Sequence, residues 1–129
     1  MPEGDAVTGA DRELFERATA IADRAYAPYS RFHVGAAVRA RDGRVFEGVN
    51  VENAAYPLGV CAEKSALARA VTEGCGPGDL EAIAITASPC GGCRQWLHEL
   101  RLERVIYARA DGEVVTATPA ELLPDTFVL

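Results

Sequence analysis

The sequence predicts an α/β domain with helices packed on the faces of a mixed sheet, and three observations lead there. Behind an opening helix, strand-prone and helix-prone runs follow one another in the order β-β-α-β-α-β-β. Two of the strand pairs enclose an Asp-Gly turn, Asp42-Gly43 and Asp111-Gly112. The length, 129 residues, suits one domain with one core, so residues 1–129 are read as a single unit.

Each element has a local reason. Leu14, Phe15, Ala18, Ile21, Ala22 and Ala25 recur at helical spacing, predicting an amphipathic helix over about 11–26 that Pro28 helps to end. Met1 to Gly9, ahead of it, read as a flexible tail. Val34–Ala40 and Val45–Val49 form the clearest hairpin, turning at Asp42-Gly43. Cys61 to about Glu73 is rich in Ala and Leu and closes on Gly74, which suits a helix and its stop. Leu80–Thr86 reads as a buried strand, and Cys90 to about Leu100, after Pro89, as the next helix. Val105–Arg109 and Glu113–Ala117 make a second strand pair, and Thr118 caps a short helix with Pro119 in its first turn.

Composition narrows the function. The net charge is −6 with both signs mixed along the chain, which speaks against a phosphate-tracking surface and hence a nucleic-acid partner. No apolar run approaches the ~18 residues of a membrane span, and the first ten residues lack the basic start and apolar core of a secretory leader. A cytoplasmic protein is expected. Four cysteines in such a chain suit metal ligands or buried thiols better than disulfides. Cys75, between Gly74 and Gly76, is read as structural.

The other three cysteines carry the chemistry. Cys90 and Cys93 form a Cys-x-x-Cys pair after Ser88-Pro89, and Cys61 lies 29 positions earlier in Cys61-Ala62-Glu63. Three thiolates can hold one Zn²⁺ and leave its fourth position open, as a catalytic site requires, whereas a structural zinc usually has four protein ligands. Neither His33 nor His98 is an evident fourth ligand. Glu63 is close enough in sequence to move protons at the open position without being a ligand. Three thiolates, a non-ligand Glu and a Pro-Cys-x-x-Cys segment match the zinc deaminases of nucleobases. The helix predictions also put the cysteines at two helix N-termini, whose N–H groups and partial positive charge favour thiolates. Lys64 would add positive charge as a supporting group.

Further motifs extend the pattern. Tyr29-Ser30-Arg31-Phe32-His33-Val34-Gly35-Ala36-Ala37, Asn50-Val51-Glu52-Asn53-Ala54-Ala55-Tyr56, Cys61-Ala62-Glu63, Ser88-Pro89-Cys90-Gly91-Gly92-Cys93-Arg94-Gln95 and Glu121-Leu122-Leu123-Pro124 stand in the order of small cytidine deaminases. From about Ala25 to Phe127 the chain resembles that family. The resemblance implies a three-layer α/β/α sandwich around a five-stranded mixed sheet, one zinc per chain, and a homotetramer with active sites at subunit boundaries. It makes Cys61, Cys90 and Cys93 the metal ligands and Glu63 the proton shuttle. Asn50 and Glu52 would bond the sugar 3′-hydroxyl, backbone groups around Ala62 and Ser88 would read the base, and Phe32 would pack near it. Phe127 would reach a neighbouring subunit's pocket. The implied activity is hydrolytic deamination of cytidine and 2′-deoxycytidine in pyrimidine salvage. Taken alone, Asn50 and Asn53 suit the bracing of local backbone better than sugar binding.

Three positions depart from the family pattern. Lys64 stands where Arg is common, keeping the charge without the planar fork. Strand 80–87 runs almost straight into Ser88, where relatives carry a longer loop, and Val49 replaces a cysteine. The first two leave open an alternative substrate, a cytosine nucleoside antibiotic of the blasticidin S type.

Overall fold

A computed structural model describes Val7 and residues 9–129 of the chain. Helix α1 (Gly9–Ile21) runs on through a 3₁₀ turn at Ala22–Arg24; it starts earlier and ends earlier than its apolar spacing predicts. Of the expected tail, Gly9 therefore belongs to a helix, Val7 packs partly buried against the cluster that Leu14 and Ala18 form with the sheet, and residues 1–6 and 8 lie outside the described residues. Strands β1 (Gly35–Ala40), β2 (Val45–Val49), β3 (Leu80–Ile85), β4 (Arg104–Ala108) and β5 (Val114–Ala117) form one sheet in the order β2-β1-β3-β4-β5. Only β3 and β4 run parallel, and α3 (Gly91–Glu99) connects them. Helix α2 (Ala62–Thr72) links β2 to β3, and α4 (Pro119–Leu122) follows β5. The alternation read from sequence is thus the architecture, a five-stranded mixed sheet with flanking helices.

The period-two pattern of the strands explains the layers. Ala37, Ala82, Ala84 and Ile106 point to one face and pack with Leu14 and Ala18 of α1. Ala36, Val38, Ile83, Ile85, Val105 and Tyr107 point to the other and pack with Ala66, Leu67 and Ala70 of α2 and Leu97 of α3. Burying a side chain such as Leu67 or Ile85 contributes about 1.5–3 kcal/mol relative to leaving it exposed. Two glycines let the helices lie close. A Cβ on Gly35 would fall 2.0 Å from the Ala18 carbonyl oxygen of α1, and one on Gly48 would fall 2.3 Å from the Ala66 nitrogen of α2. Both sit on the hairpin beside the site, and no side chain fits at either.

A charged brace ties α1 to the sheet. Arg39 of β1 donates to Asp11 at 2.7 Å and to Glu81 at 2.8 Å, while Arg104 of β4 donates to Asp11 at 3.0 Å. Burial alone would raise the Asp11 carboxyl, but hydrogen bonds from Arg104 and Arg39 outweigh it and hold the group below its ordinary value. At the other end of the chain, Thr118 accepts from the Glu121 N–H while Glu121 accepts from the Thr118 N–H, a reciprocal cap of α4.

Candidate active site

One edge of the sheet collects the chemistry-bearing segments. Register pairs Gly35 at the start of β1 with Val49 at the end of β2, and Ala36 with Ile85 at the end of β3. The residues just before β1, just after β2 and just after β3 therefore meet beyond that edge, which is where open α/β sheets bind ligands. Val51 crosses back by bonding Val60 in both directions at 2.9 Å, and this fold-back delivers Cys61 to the same place. A 3₁₀ turn at Tyr56–Leu58 lies inside the fold-back.

Cys61 and Cys90 occupy equivalent positions. Each is the extended residue that caps a helix, and each accepts the first helical bond, from Ser65 at 3.1 Å and from Arg94 at 3.0 Å. Cys93 lies in the first turn of α3 and is fully buried. The three sulfurs lie within 4.8 Å of one another, and Cys61 Sγ is 3.8 Å from Cys90 Sγ. A tetrahedral zinc with Zn–S bonds of about 2.3 Å places its sulfurs about 3.8 Å apart, so the donor set fits that ion. Among the described residues, these three form the cluster able to hold a metal, and neither histidine joins it.

Crowding shows in the thiol acidities. Burial, with Glu63 and Cys61 close by, pushes Cys93 far up. Cys61 is also raised by burial, and Cys90 is lowered because bonds from Cys93 and Cys61 outweigh its own burial. Glu63, in the first turn of α2, is 4% exposed and is the buried charged residue among the described residues. Burial raises its carboxyl against the opposing pull of its own N–H, the Cys93 thiol and the Lys64 charge. The Lys64 ammonium reaches toward Gly92, where an added Cβ would lie 3.6 Å from it.

A cavity of about 320 Å³ opens at this edge. Its lining includes Cys61, Glu63 and Cys90, which make up its metal end, Ala62 and Ser88, and Asn50, Glu52 and the exposed Phe32, which make up its outer end. Apart from the buried Cys93 and the supporting Lys64, every residue assigned from sequence therefore faces one space except Phe127. That ring is 70% exposed and lies against a different depression, beside His98 and Arg101, with its carbonyl accepting from Gln95 at 3.1 Å.

The outer end already uses its polar atoms. Asn50 Oδ1 accepts from the Val34 N–H at 2.8 Å, and its Nδ2 donates to the Phe32 carbonyl at 2.8 Å. Asn53 likewise accepts from the Ala55 N–H. Asn50 stands just after β2 has ended. Glu52 Oε1 accepts the Tyr29 and Ser30 N–H groups at 3.0 and 3.1 Å, and Glu52 Oε2 is bonded to the Ser30 hydroxyl. These bonds hold the Glu52 carboxyl below its ordinary value, the Ser30 hydroxyl first among them.

Sequence reading gave no role to Ser30 or Arg94. Arg94 donates to the Pro89 carbonyl at 2.9 Å, the Leu122 carbonyl at 2.9 Å and the Ser88 hydroxyl at 3.3 Å, fixing the segment between β3 and α3. Its place just after Cys93 was the available signal.

A three-layer α/β domain that gathers three thiols and a buried carboxyl at one sheet edge defines the zinc-dependent deaminase class of enzymes. Comparison gives the family: the chain belongs to the cytidine and deoxycytidylate deaminases, whose zinc-binding region matches residues 8–109. Cytidine deaminase from Halalkalibacterium halodurans is 43% identical over 126 residues, covering 91% of this chain and 94% of the relative. One from Mycobacterium tuberculosis is 41% identical over 123 residues, covering 87% and 85%. The crystal structure of cytidine deaminase from Burkholderia pseudomallei superposes with a TM-score of 0.85 at 43% identity, covering 92% of this chain and all of that one. The fold expected from the family resemblance is therefore the observed one, and the cysteine cluster is placed to hold the family's zinc.

Proposed function

We propose that the chain hydrolyses cytidine and 2′-deoxycytidine to uridine and 2′-deoxyuridine with release of ammonia. The observation that carries this reading is the three-sulfur cluster with Glu63 buried beside it in one cavity. Cys61, Cys90 and Cys93 would hold the zinc, which when bound would supply a Lewis acid that lowers the pKa of water and so a nucleophile at neutral pH.

Glu63 is the proton shuttle. Almost fully buried and with a raised carboxyl, it accepts a proton from the attacking water and delivers it to ring N3. Addition at C4 gives a tetrahedral carbon bearing a hydroxyl, and Glu63, again a carboxylate, takes that hydroxyl's proton and passes it to the departing amine. Loss of ammonia leaves the 4-oxo ring. Backbone groups at Ala62 and Ser88 orient the base, and Arg94 keeps Ser88 in place.

Asn50 and Glu52 bind one sugar hydroxyl with the capacity that bracing leaves them. An ionised carboxylate has about four acceptor sites, and an amide nitrogen has two protons. Three bonds are already made to Glu52 and one by Asn50 Nδ2, so each retains one for a ligand. One acceptor beside one donor matches a single hydroxyl, and recognition through the 3′-hydroxyl accepts both sugars. Phe32 flanks the base from the rim. Phe127, turned away from its own cavity, serves a neighbouring subunit in a homotetramer, and the enzyme works in the cytoplasm.

Product analysis tests the reading. Cytidine, deoxycytidine and blasticidin S are each incubated with zinc-loaded protein and resolved by chromatography. Uridine and deoxyuridine as the main products support it. Conversion of blasticidin S alone would move the function to antibiotic inactivation.

A further inference from the structure

Ser30 stands between the two groups just proposed to hold the sugar and flank the base. Its hydroxyl is bonded to Glu52 Oε2, and the Phe32 N–H is bonded to the same hydroxyl oxygen at 3.0 Å. An ionised carboxylate can only accept and an amide N–H can only donate, so the direction is fixed: Ser30 donates to Glu52 and accepts from Phe32. Arg31, between them, has φ 60°, in the left-handed region that a residue bearing a Cβ adopts reluctantly. The Ser30–Phe32 bond spans that residue and closes the turn.

The ring itself has little packing to hold it. Phe32 is 62% exposed, yet both its backbone polar groups are held, the N–H by Ser30 and the carbonyl by Asn50 at 2.8 Å. Its position at the cavity rim therefore comes from hydrogen bonds to its backbone more than from burial of its side chain.

We propose that Ser30 is a positioning residue that couples Glu52 to Phe32, so that one hydroxyl sets both the sugar-side carboxylate and the aromatic rim. This rests on the nucleoside reading above. Without the hydroxyl, Phe32 loses its N–H partner, Glu52 Oε2 loses a donor, and the two ends of the contact drift together. Ser30 touches neither base nor reacting atoms, so its removal weakens binding more than the chemical step.

The test uses the zinc-loaded full chain with Ser30→Ala, Ser30→Thr and Glu52→Gln, with cytidine as the probe. Ser30→Ala raises KM on the order of tenfold, the loss expected for a hydrogen bond to a charged group, and leaves kcat within about threefold. Ser30→Thr restores KM. Ser30→Ala adds little once Glu52 is Gln, because the two act through one link. Amide exchange followed by NMR accelerates at Phe32 in Ser30→Ala. Unchanged KM, failure of Thr to restore it, or unchanged exchange at Phe32 each overturn the proposal. If the parent does not convert cytidine, the nucleoside reading fails by itself, and exchange at Phe32 then decides the Ser30 link.

Discussion

The two ends of the cavity treat their polar side chains in opposite ways. At the metal end, the thiols of Cys61, Cys90 and Cys93 crowd one another, with two helix N-termini behind them. At the outer end, Asn50 and Glu52 are bonded to Phe32, Val34, Tyr29 and Ser30, so the groups that would meet a sugar also shape the wall. An ion needs a dense donor set and repays its crowding on binding. A neutral hydroxyl offers little energy, so the groups that meet it must be fixed in advance, and backbone bonds do that. The metal end should therefore be separable from the fold, and the outer end should not.

The sharpest way to break this contrast is at Glu63. Glu63→Gln keeps the volume and removes the proton carrier, so kcat falls by about 10²–10⁴-fold while zinc content and thermal stability hold. A variant within about tenfold of the parent would show that Glu63 is not the shuttle. Asn50→Ala should behave otherwise, because the Val34 N–H and the Phe32 carbonyl both lose a partner. Stability falls by about 1–2 kcal/mol in urea unfolding, and KM rises alongside. A rise in KM with no loss of stability would make Asn50 a pure ligand group and erase the distinction.

The smallest effect is expected far from the cavity, at the α1 brace. Asp11 is depressed in the folded state, so its contribution is present above the unfolded value of about 3.9 and is lost as pH falls through the lower folded value. Asp11→Asn should flatten that acid limb of stability, measured by unfolding from pH 6 down to about pH 2, and leave kcat and KM for cytidine alone.

These differences follow what a sequence can carry. The metal end was legible because its chemistry is local: a Cys-x-x-Cys turn, an acid two residues past a cysteine, and helix starts marked by Pro89 and by an Ala-rich run. The hairpin was legible through Asp42-Gly43, and β2 has the bounds its residues predict. Helix α1 was less so, since the apolar spacing through Ala25 continues past the point where the backbone tightens into a 3₁₀ turn. The outer end was hardest. Ser30 and Glu52 are 22 positions apart, and no periodicity announces that one will brace the other. The bracing role that Asn50 and Asn53 suit on residue chemistry alone is present in the structure, alongside their place in the cavity wall. Gly35 and Gly48 have a similar character, since their need for zero side-chain volume arises from helices that only the fold brings near.

The central claim is that the three thiols and Glu63 run a zinc-dependent deamination of cytidine, and a metal titration tests it most directly. The protein is stripped with a chelator, checked for residual zinc, and titrated with Zn²⁺ while the fall in cytidine absorbance is followed. Activity should start near zero, rise linearly and break at one zinc per chain, with Cys61→Ala showing no such break. Full activity without zinc, or none at one zinc per chain, would contradict the account.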